Sequence, residues 1–288
     1  MEAYCPILGQ PTPVERTPFS RNPWSIVRCS TTGLVFLENP PAYSQLEGEF
    51  AWENTFELET QRRDRDQPIV RVLSSVSKRA KRIVFPSRNK IFSLTCALVR
   101  SEKQREQARL RILDIGCGNG HLLIDFCDRS VKLGRKVVPL GIEVSRRLSR
   151  VAAARCVPRG GQVIRANALA GIGQFSDGET DVVVMSSFLE HECQPLDLLK
   201  RVRQVLAPQG IVVLKVPNFA CWNRRIMGRR WCGLRFPDHV NYFTPKTLSI
   251  LVKEAGLVVW RQGFLDKFPL SDNMYAVLKA QASAIPVM

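Results

Sequence analysis

The sequence predicts an α/β fold. It is a doubly wound, mostly parallel sheet of seven strands with an antiparallel strand at one edge, preceded by a small N-terminal lobe. Three observations carry this. From residue 111 onward, short apolar runs alternate with amphipathic stretches of ten to fifteen residues, the rhythm of β-α-β units. The last two apolar runs follow each other with no helical stretch between them, which gives an antiparallel pair. Residues 1–60 share neither pattern. They are Pro-rich and read as loops around one short strand, "GLVFL" at 33–37.

The elements follow in order. Residues 67–110 read as helices around a break at Pro86, with apolar faces from "IVRVLSSV" and "IFSLTCALV". "RILDIG" is a strand running into glycines, and "HLLIDFCDRSVKLG" has helical spacing with Gly134 as its C-cap. "KVVPLGIEV", "SRRLSRVAAARC" and "GQVIRAN" read as strand, helix and strand. "TDVVVMSS", "PLDLLKRVRQVL" and "GIVVLKVPN" repeat that order. "TPKTLSILVKEAG" is a helix with Thr244 as N-cap, Pro245 in the first turn and Gly256 at the end. "LVVWRQGF" and "NMYAVLKA" complete the strands. The chain thus divides into an N-terminal lobe at 1–60, a basic helical segment at 61–110 and the α/β domain at 111–288, with an insertion at about 219–244.

Bulk properties exclude several classes. Hydrophobic content of 45% and charged content of 24% belong to an ordinary globular protein. No apolar run reaches the roughly 18 residues of a spanning helix. The start, "MEAYCPILGQPTP", lacks the basic-then-apolar order of a signal peptide, so a cytoplasmic protein is expected. The 9 cysteines are scattered without C-x-x-C spacing, which suits reduced thiols. The net charge of +16 is concentrated at 61–111, with fifteen Lys/Arg against four Asp/Glu. Such a block suits an anionic partner, whether phosphate-bearing substrate, nucleic acid or membrane surface, and equally a solvated helical face.

The glycines after the first strand point to a ligand. "LDIGCGNGHLL" places Gly116, Gly118 and Gly120 behind Asp114, in the loop where doubly wound sheets bind ligands. A dinucleotide fingerprint needs a sixth-position Gly or Ala, and His121 stands there. No G-K-[ST] follows, which excludes a Walker loop.

The spacing resembles motif I of the class I S-adenosylmethionine-dependent methyltransferases, an acid followed by G-x-G-x-G. Four further segments match in order: Glu143 closing "PLGIEV", "IRANAL", "DVVVMSSFLEHECQP" and "KRVRQVLAPQGIVVLKVPN". The C-terminal "RWCGLRFPDHVNYFTPKTLSILVKEAGL" is similar to a bacterial small-molecule subgroup that includes ubiquinone-type O-methyltransferases. The resemblance spans about 111–280. It implies a Rossmann-like sheet and S-adenosylmethionine as cofactor. It also implies cofactor contacts from Asp114, Gly116, Cys117, Gly118, Gly120, Glu143, Asn167 and Ser186. Glu143 would accept from the ribose hydroxyls. Asn167, where relatives often carry an acid, would face the adenine amino group.

Relatives of this subgroup often begin with a zinc ribbon of two knuckles. Here "YCPILG" and "RCSTTGLVF" keep Cys5 and Cys29, while Leu8 and Thr32 occupy the other two positions. A structural zinc needs four ligands, so a metal-free remnant is expected. In ubiquinone-type relatives two acids and a histidine near "FLEH" are associated with a divalent metal. Glu190 and His191 match, but Ser187 stands in for the other acid, so no metal is expected there either. "ENPPAY" resembles the Asn-Pro-Pro-aromatic motif of nucleic-acid amino-methyltransferases, but lies far from the fourth strand where that motif belongs.

Methyl transfer is an in-line displacement that needs alignment, exclusion of water and, at oxygen or nitrogen, sometimes a base. His121 reads as a helix-start residue near the cofactor. His191 reads as the base or as a hydrogen-bonding prop of its loop, and His239 as a substrate contact. The insertion also holds Arg224, Arg225, Arg229, Arg230 and Arg235 among tryptophans, which suits a planar or anionic acceptor, or lipid headgroups. The expectation is methylation of a small-molecule or lipid-linked acceptor at oxygen. Nucleic-acid methylation and non-catalytic cofactor binding are the competing readings.

Overall fold

The computed structural model describes residues 1–42, 45, 90–99, 109–131, 135–235 and 237–281. Of the basic segment expected at 61–110, residues 61–89 and 100–108 lie outside these, as does Gly134.

Strands β1 (Glu2–Cys5), β2 (Gln10–Arg16), β3 (Ile26–Cys29) and β4 (Val35–Leu37) precede helix α1 (Lys90–Val99). The α/β unit follows as β5 (Arg109–Ile115), α2 (His121–Val131), β6 (Lys136–Ile142), α3 (Arg146–Cys156), β7 (Gln162–Ile164), α4 (Ala168–Ile172) and β8 (Thr180–Ser186). It continues as α5 (Pro195–Val205), β9 (Leu206–Pro217), α6 (Trp222–Met227), β10 (Asn241–Tyr242), α7 (Pro245–Glu254), β11 (Leu257–Arg261) and β12 (Asn273–Ala280).

The large sheet has seven strands in the order β11-β12-β9-β8-β5-β6-β7. The pairs from β9 to β7 are parallel, and β12 runs antiparallel to both β9 and β11. The expected antiparallel pair is present, with its reversed strand one place in from the margin. The crossover through α7 carries β11 to the outside, and β12 returns through the space left between.

Side chains alternate across this sheet as the pleat requires. Leu113 and Ile115 of β5, with Val183 and Met185 of β8, face one layer with Ile172, Leu199, Val202 and Leu251 of α4, α5 and α7. Leu110 and Ile112, with Val182 and Val184, face the other layer with Ile91, Leu123 and Ala152 of α1, α2 and α3. Helix starts are fixed by side-chain caps, Thr244 being the one expected from the sequence. Ser145 caps α3, and Thr244 forms a capping box with Thr247 at α7.

The N-terminal segment contains more strand than the sequence reading gives it. β1 to β4 form an antiparallel sheet in the order β1-β2-β3-β4-β10. Pro11 and Pro13 disguise β2. They sit in the half that pairs with β1 alone, while Val14 to Arg16 pair with β3, so the missing N–H groups face no partner strand. The fifth strand, β10, comes from the insertion, so two segments far apart in sequence share one sheet. Ile26, Val35 and Leu37 pack with Phe219, Trp231, Val240 and Tyr242 in one buried cluster.

Candidate active site

β5 delivers Asp114 to the carboxyl edge of the sheet, and the glycine loop follows. Gly116, Gly118 and Gly120 have φ of 74, 54 and 75°, a region that glycine enters without steric cost. A Cβ on Gly116 would lie 2.4 Å from Phe188, so the ring after β8 packs directly on the loop. A Cβ on Gly118 would meet nothing within 4 Å, so this backbone faces open space where a ligand can approach. The loop is tied to β6 by Gly116 and Cys117, whose N–H groups donate to the Ile142 carbonyl at 2.9 and 3.1 Å.

Glu143 ends β6 buried against this loop. Its Oε2 accepts from Gly118 N–H at 2.8 Å and its Oε1 from Ser145 N–H at 2.9 Å. These bonds aim the carboxylate and leave further lone pairs on each oxygen. Burial, reinforced by Glu143, pushes the Asp114 carboxyl up to about 8. Burial, together with Asp114 and Glu143, drives the Cys117 thiol far above its ordinary range, so it packs as an apolar group. Asn167 caps α4, its Oδ1 accepting from Ala170 N–H at 2.9 Å. Ser186 is half-buried at the end of β8. Ser187 follows in the left-handed region at φ 57°, a conformation rare outside glycine.

A second cluster of side chains is assembled from scattered segments. A 3-10 turn, Leu189–His191, follows β8, and the Val240 N–H donates to the Glu190 carbonyl at 2.8 Å. His191 Nδ1 lies 2.8 Å from the Asp238 carbonyl, and His239 Nδ1 lies 2.9 Å from the Gly233 carbonyl. The two rings meet edge to face, 4.7 Å apart at 88°. Burial, with the nearby Arg235, lowers the His191 imidazole to about 4, so it is neutral at pH 7. Burial raises Glu190 to about 7, and its Oε2 has no hydrogen-bond partner. Arg235 is paired with Asp238 at 2.8 Å. A cavity of about 170 Å³ is lined by Ser187, Glu190, His191, Trp231, Arg235 and His239, among others.

The geometry sorts the histidines and arginines. His121 is exposed on the first turn of α2, away from the cavity, while His191 and His239 come together on its wall. Of the five arginines singled out in the insertion, Arg235 lines the cavity. Arg224 stacks over the Phe219 ring at 4.5 Å, and Arg225, Arg229 and Arg230 are exposed. Phe188, Asp238 and Asp272 carry no motif signal. Asp272 holds Trp231 in the wall by accepting from its Nε1 at 2.8 Å.

Comparison with known proteins places this cleft in a family. Residues 87–262, more than half of the chain, match the family described as a methyltransferase domain. The chain belongs to the methyltransferases. A ubiquinone biosynthesis O-methyltransferase of Ruegeria pomeroyi is 31% identical over 199 residues, covering 64% of this chain and 76% of that one. A protein of the same description from Roseobacter denitrificans is 32% identical over 167 residues, covering 54% and 63%. An uncharacterized methyltransferase of Mycobacterium leprae is 32% identical over 111 residues, covering 38% and 37%. The chain therefore spans from about a third to three quarters of these relatives' lengths. The structure of a methyltransferase from Clostridium acetobutylicum shares the fold at a TM-score of 0.50 and 9% identity, covering 73% of this chain and 99% of that one.

The cofactor of this methyltransferase is S-adenosylmethionine. The loop fits it. Open space borders Gly118, and the Glu143 carboxylate lies beside Asp114, whose raised carboxyl a cationic ligand would draw into its ionised form. The divalent metal of two acids and a histidine that the ubiquinone-type resemblance implies does not fit, because Ser187 supplies no carboxylate. In the N-terminal sheet, Cys5 and Cys29 are fully buried, and Thr32 Oγ1 lies 3.9 Å from Cys5 Sγ. Burial alone would raise the Cys29 thiol, but hydrogen bonds from Thr12 and Thr32 bring it down to about 7. Among the described residues, no helix is long and apolar enough to cross a membrane.

Proposed function

We propose that the protein methylates a small-molecule or lipid-linked acceptor at oxygen, using S-adenosylmethionine. The observation that carries this is the cavity past the end of β8, where Glu190, His191 and His239 converge, while Phe188 of the same segment packs on the glycine loop. The ubiquinone biosynthesis O-methyltransferases among its relatives support oxygen as the target.

S-adenosylmethionine, when bound, supplies an electrophilic methyl group. The protein's residues do the rest. Gly116, Cys117, Gly118 and Gly120 present backbone to the ligand, with Asp114 and Ser186 at the strand ends beside them. Glu143 takes the ribose hydroxyls and Asn167 faces the adenine. Trp231 gives the cavity an apolar wall that excludes water. An acceptor hydroxyl against the cluster gives its proton to His191 as the methyl is transferred, the ring's Nδ1 being already fixed by the Asp238 carbonyl. His239 braces that ring and contacts the acceptor. Arg235, its charge shared with Asp238, offers a planar guanidinium face and further N–H groups to a planar or anionic acceptor. The exposed Arg225, Arg229 and Arg230 beside Trp222 suit the headgroups of a lipid-linked acceptor's membrane.

The test is transfer of labelled methyl from S-adenosylmethionine to phenolic and catecholic acceptors, with and without a prenyl tail, followed by mass spectrometry. A methyl ether is the expected product. An N- or C-methylated product, or label passing to tRNA or DNA instead, would refute the assignment.

A further inference from the structure

Glu190, His191 and His239 hold donor atoms within 4.8 Å of one another, the one such group of three among the described residues. Glu190 is 1% exposed, and its Oε2 is unpartnered. Each imidazole directs Nδ1 at a backbone carbonyl, Asp238 for His191 at 2.8 Å and Gly233 for His239 at 2.9 Å. A carbonyl can only accept, so each Nδ1 carries the proton and each lone pair resides on Nε2. Metal-bound histidines take this arrangement, with the second nitrogen donating to a carbonyl that fixes tautomer and ring plane. Donor atoms around a four-coordinate ion with bonds near 2.0–2.1 Å stand roughly 3.3 Å apart, so modest side-chain rotation closes the cluster. The backbone is already stitched, by Val240 N–H to the Glu190 carbonyl at 2.8 Å.

We infer that Glu190, His191 and His239 form a site for a borderline divalent transition ion of the Zn²⁺ or Co²⁺ kind, on the wall of the acceptor cavity. A pair of acids with a histidine suits a harder cation. Here the second acid is replaced by Ser187, and an imidazole from the insertion, His239, supplies the third donor instead. Two imidazoles and one carboxylate favour transition ions over Mg²⁺. Three protein donors leave a position open to the cavity. Arg235 beside the site has its charge met by Asp238 at 2.8 Å. Nε2 of His191 cannot hold an ion and take a proton at once. The ligand role therefore replaces the base role when the ion is present, and failure of ion binding leaves the base reading standing.

The experiment titrates the full chain, dialysed against a chelator, with Co²⁺, following its visible absorption, with Zn²⁺ in competition and Mg²⁺ in parallel. The expected result is one Co²⁺ per chain, displaced by Zn²⁺ and indifferent to excess Mg²⁺. Glu190→Gln and His239→Ala should each weaken binding by roughly 10- to 100-fold or more. Ser187→Ala and Cys29→Ser should leave it unchanged. Circular dichroism and calorimetry with S-adenosylmethionine establish that each protein is folded. His239→Asn replaces His239→Ala should the latter fail that check. The site is overturned if folded wild type gives no cobalt absorption, if Glu190→Gln and His239→Ala bind as wild type does, or if Cys29→Ser abolishes the signal.

Discussion

The two sides of the cleft are built by different means. The cofactor side is made of backbone: three glycines in one loop, with Glu143 accepting from two of its neighbouring N–H groups. The acceptor side is made of side chains brought from the turn after β8 and from the insertion, packed against a sheet that begins at residue 2. A site made of backbone tolerates little substitution within one short stretch. A site made of converging side chains can change chemistry at one position while the fold persists.

The sharpest way to break the cofactor side is Gly116→Ala. Its Cβ would meet Phe188 at 2.4 Å in a left-handed conformation. The combined strain should cost about 2–5 kcal/mol in cofactor binding and stability together. Calorimetry and thermal unfolding measure both. If Phe188→Leu partly rescues the variant, the clash rather than the φ angle dominates.

On the acceptor side, His191→Ala should lower turnover by roughly a hundredfold or more while cofactor affinity stays nearly intact. His239→Ala should mainly raise the acceptor's Michaelis constant. Wild-type turnover in both would mean that alignment alone drives the reaction.

Glu143→Ala should weaken S-adenosylmethionine binding by about 1.5–3 kcal/mol, the worth of charge-assisted hydrogen bonds. Unchanged affinity in calorimetry would remove Glu143 from the ribose.

These predictions differ in how far the sequence supports them, and the reason is physical. The strands and helices from 111 to 280 follow local periodicity and capping, and "LDIGCGNG" concentrates a whole half-site in eight residues. Its signal survives without knowledge of the fold. β2 is hidden because Pro11 and Pro13 argue against strand unless one knows that they pair with β1 alone. Glu190 and His191 were visible as a motif fragment, but His239 joins them only through the pairing of β10 with β4 and the bond from Val240 to Glu190. No spacing rule reveals that an imidazole from another segment reaches the same place.

A smaller effect separates the halves by pH. Asp114 has a folded value of about 8, above that of a free carboxyl. Its neutral form therefore favours the folded state. That contribution is full below the ordinary carboxylate range, near pH 4, and is lost as pH rises toward 8. A cationic cofactor favours the ionised form, so binding should release a proton, and affinity should rise with pH up to about 8. Glu143, Cys117 and Cys156 are the other groups facing it, and neither thiol titrates in this window. Affinity of Asp114→Asn should be flat over the same range. An equal slope in wild type and variant would assign the titration elsewhere.

The smallest expected effect concerns Asn167, where one residue serves fold and ligand together. Its Oδ1 caps α4 by accepting from Ala170 N–H at 2.9 Å. The same amide is proposed to face the adenine. Asn167→Ala removes both, so stability should fall by about 1 kcal/mol, the usual worth of an N-cap. Asn167→Asp keeps the cap, because aspartate caps as well as asparagine does. It also restores the acid that relatives often carry, so its stability should match wild type and its cofactor affinity should equal or exceed it. Chemical denaturation and calorimetry on the two variants separate the roles. If Asn167→Ala loses stability while affinity is unchanged, Asn167 is a cap alone, and the adenine is held by backbone, as the rest of that half-site is.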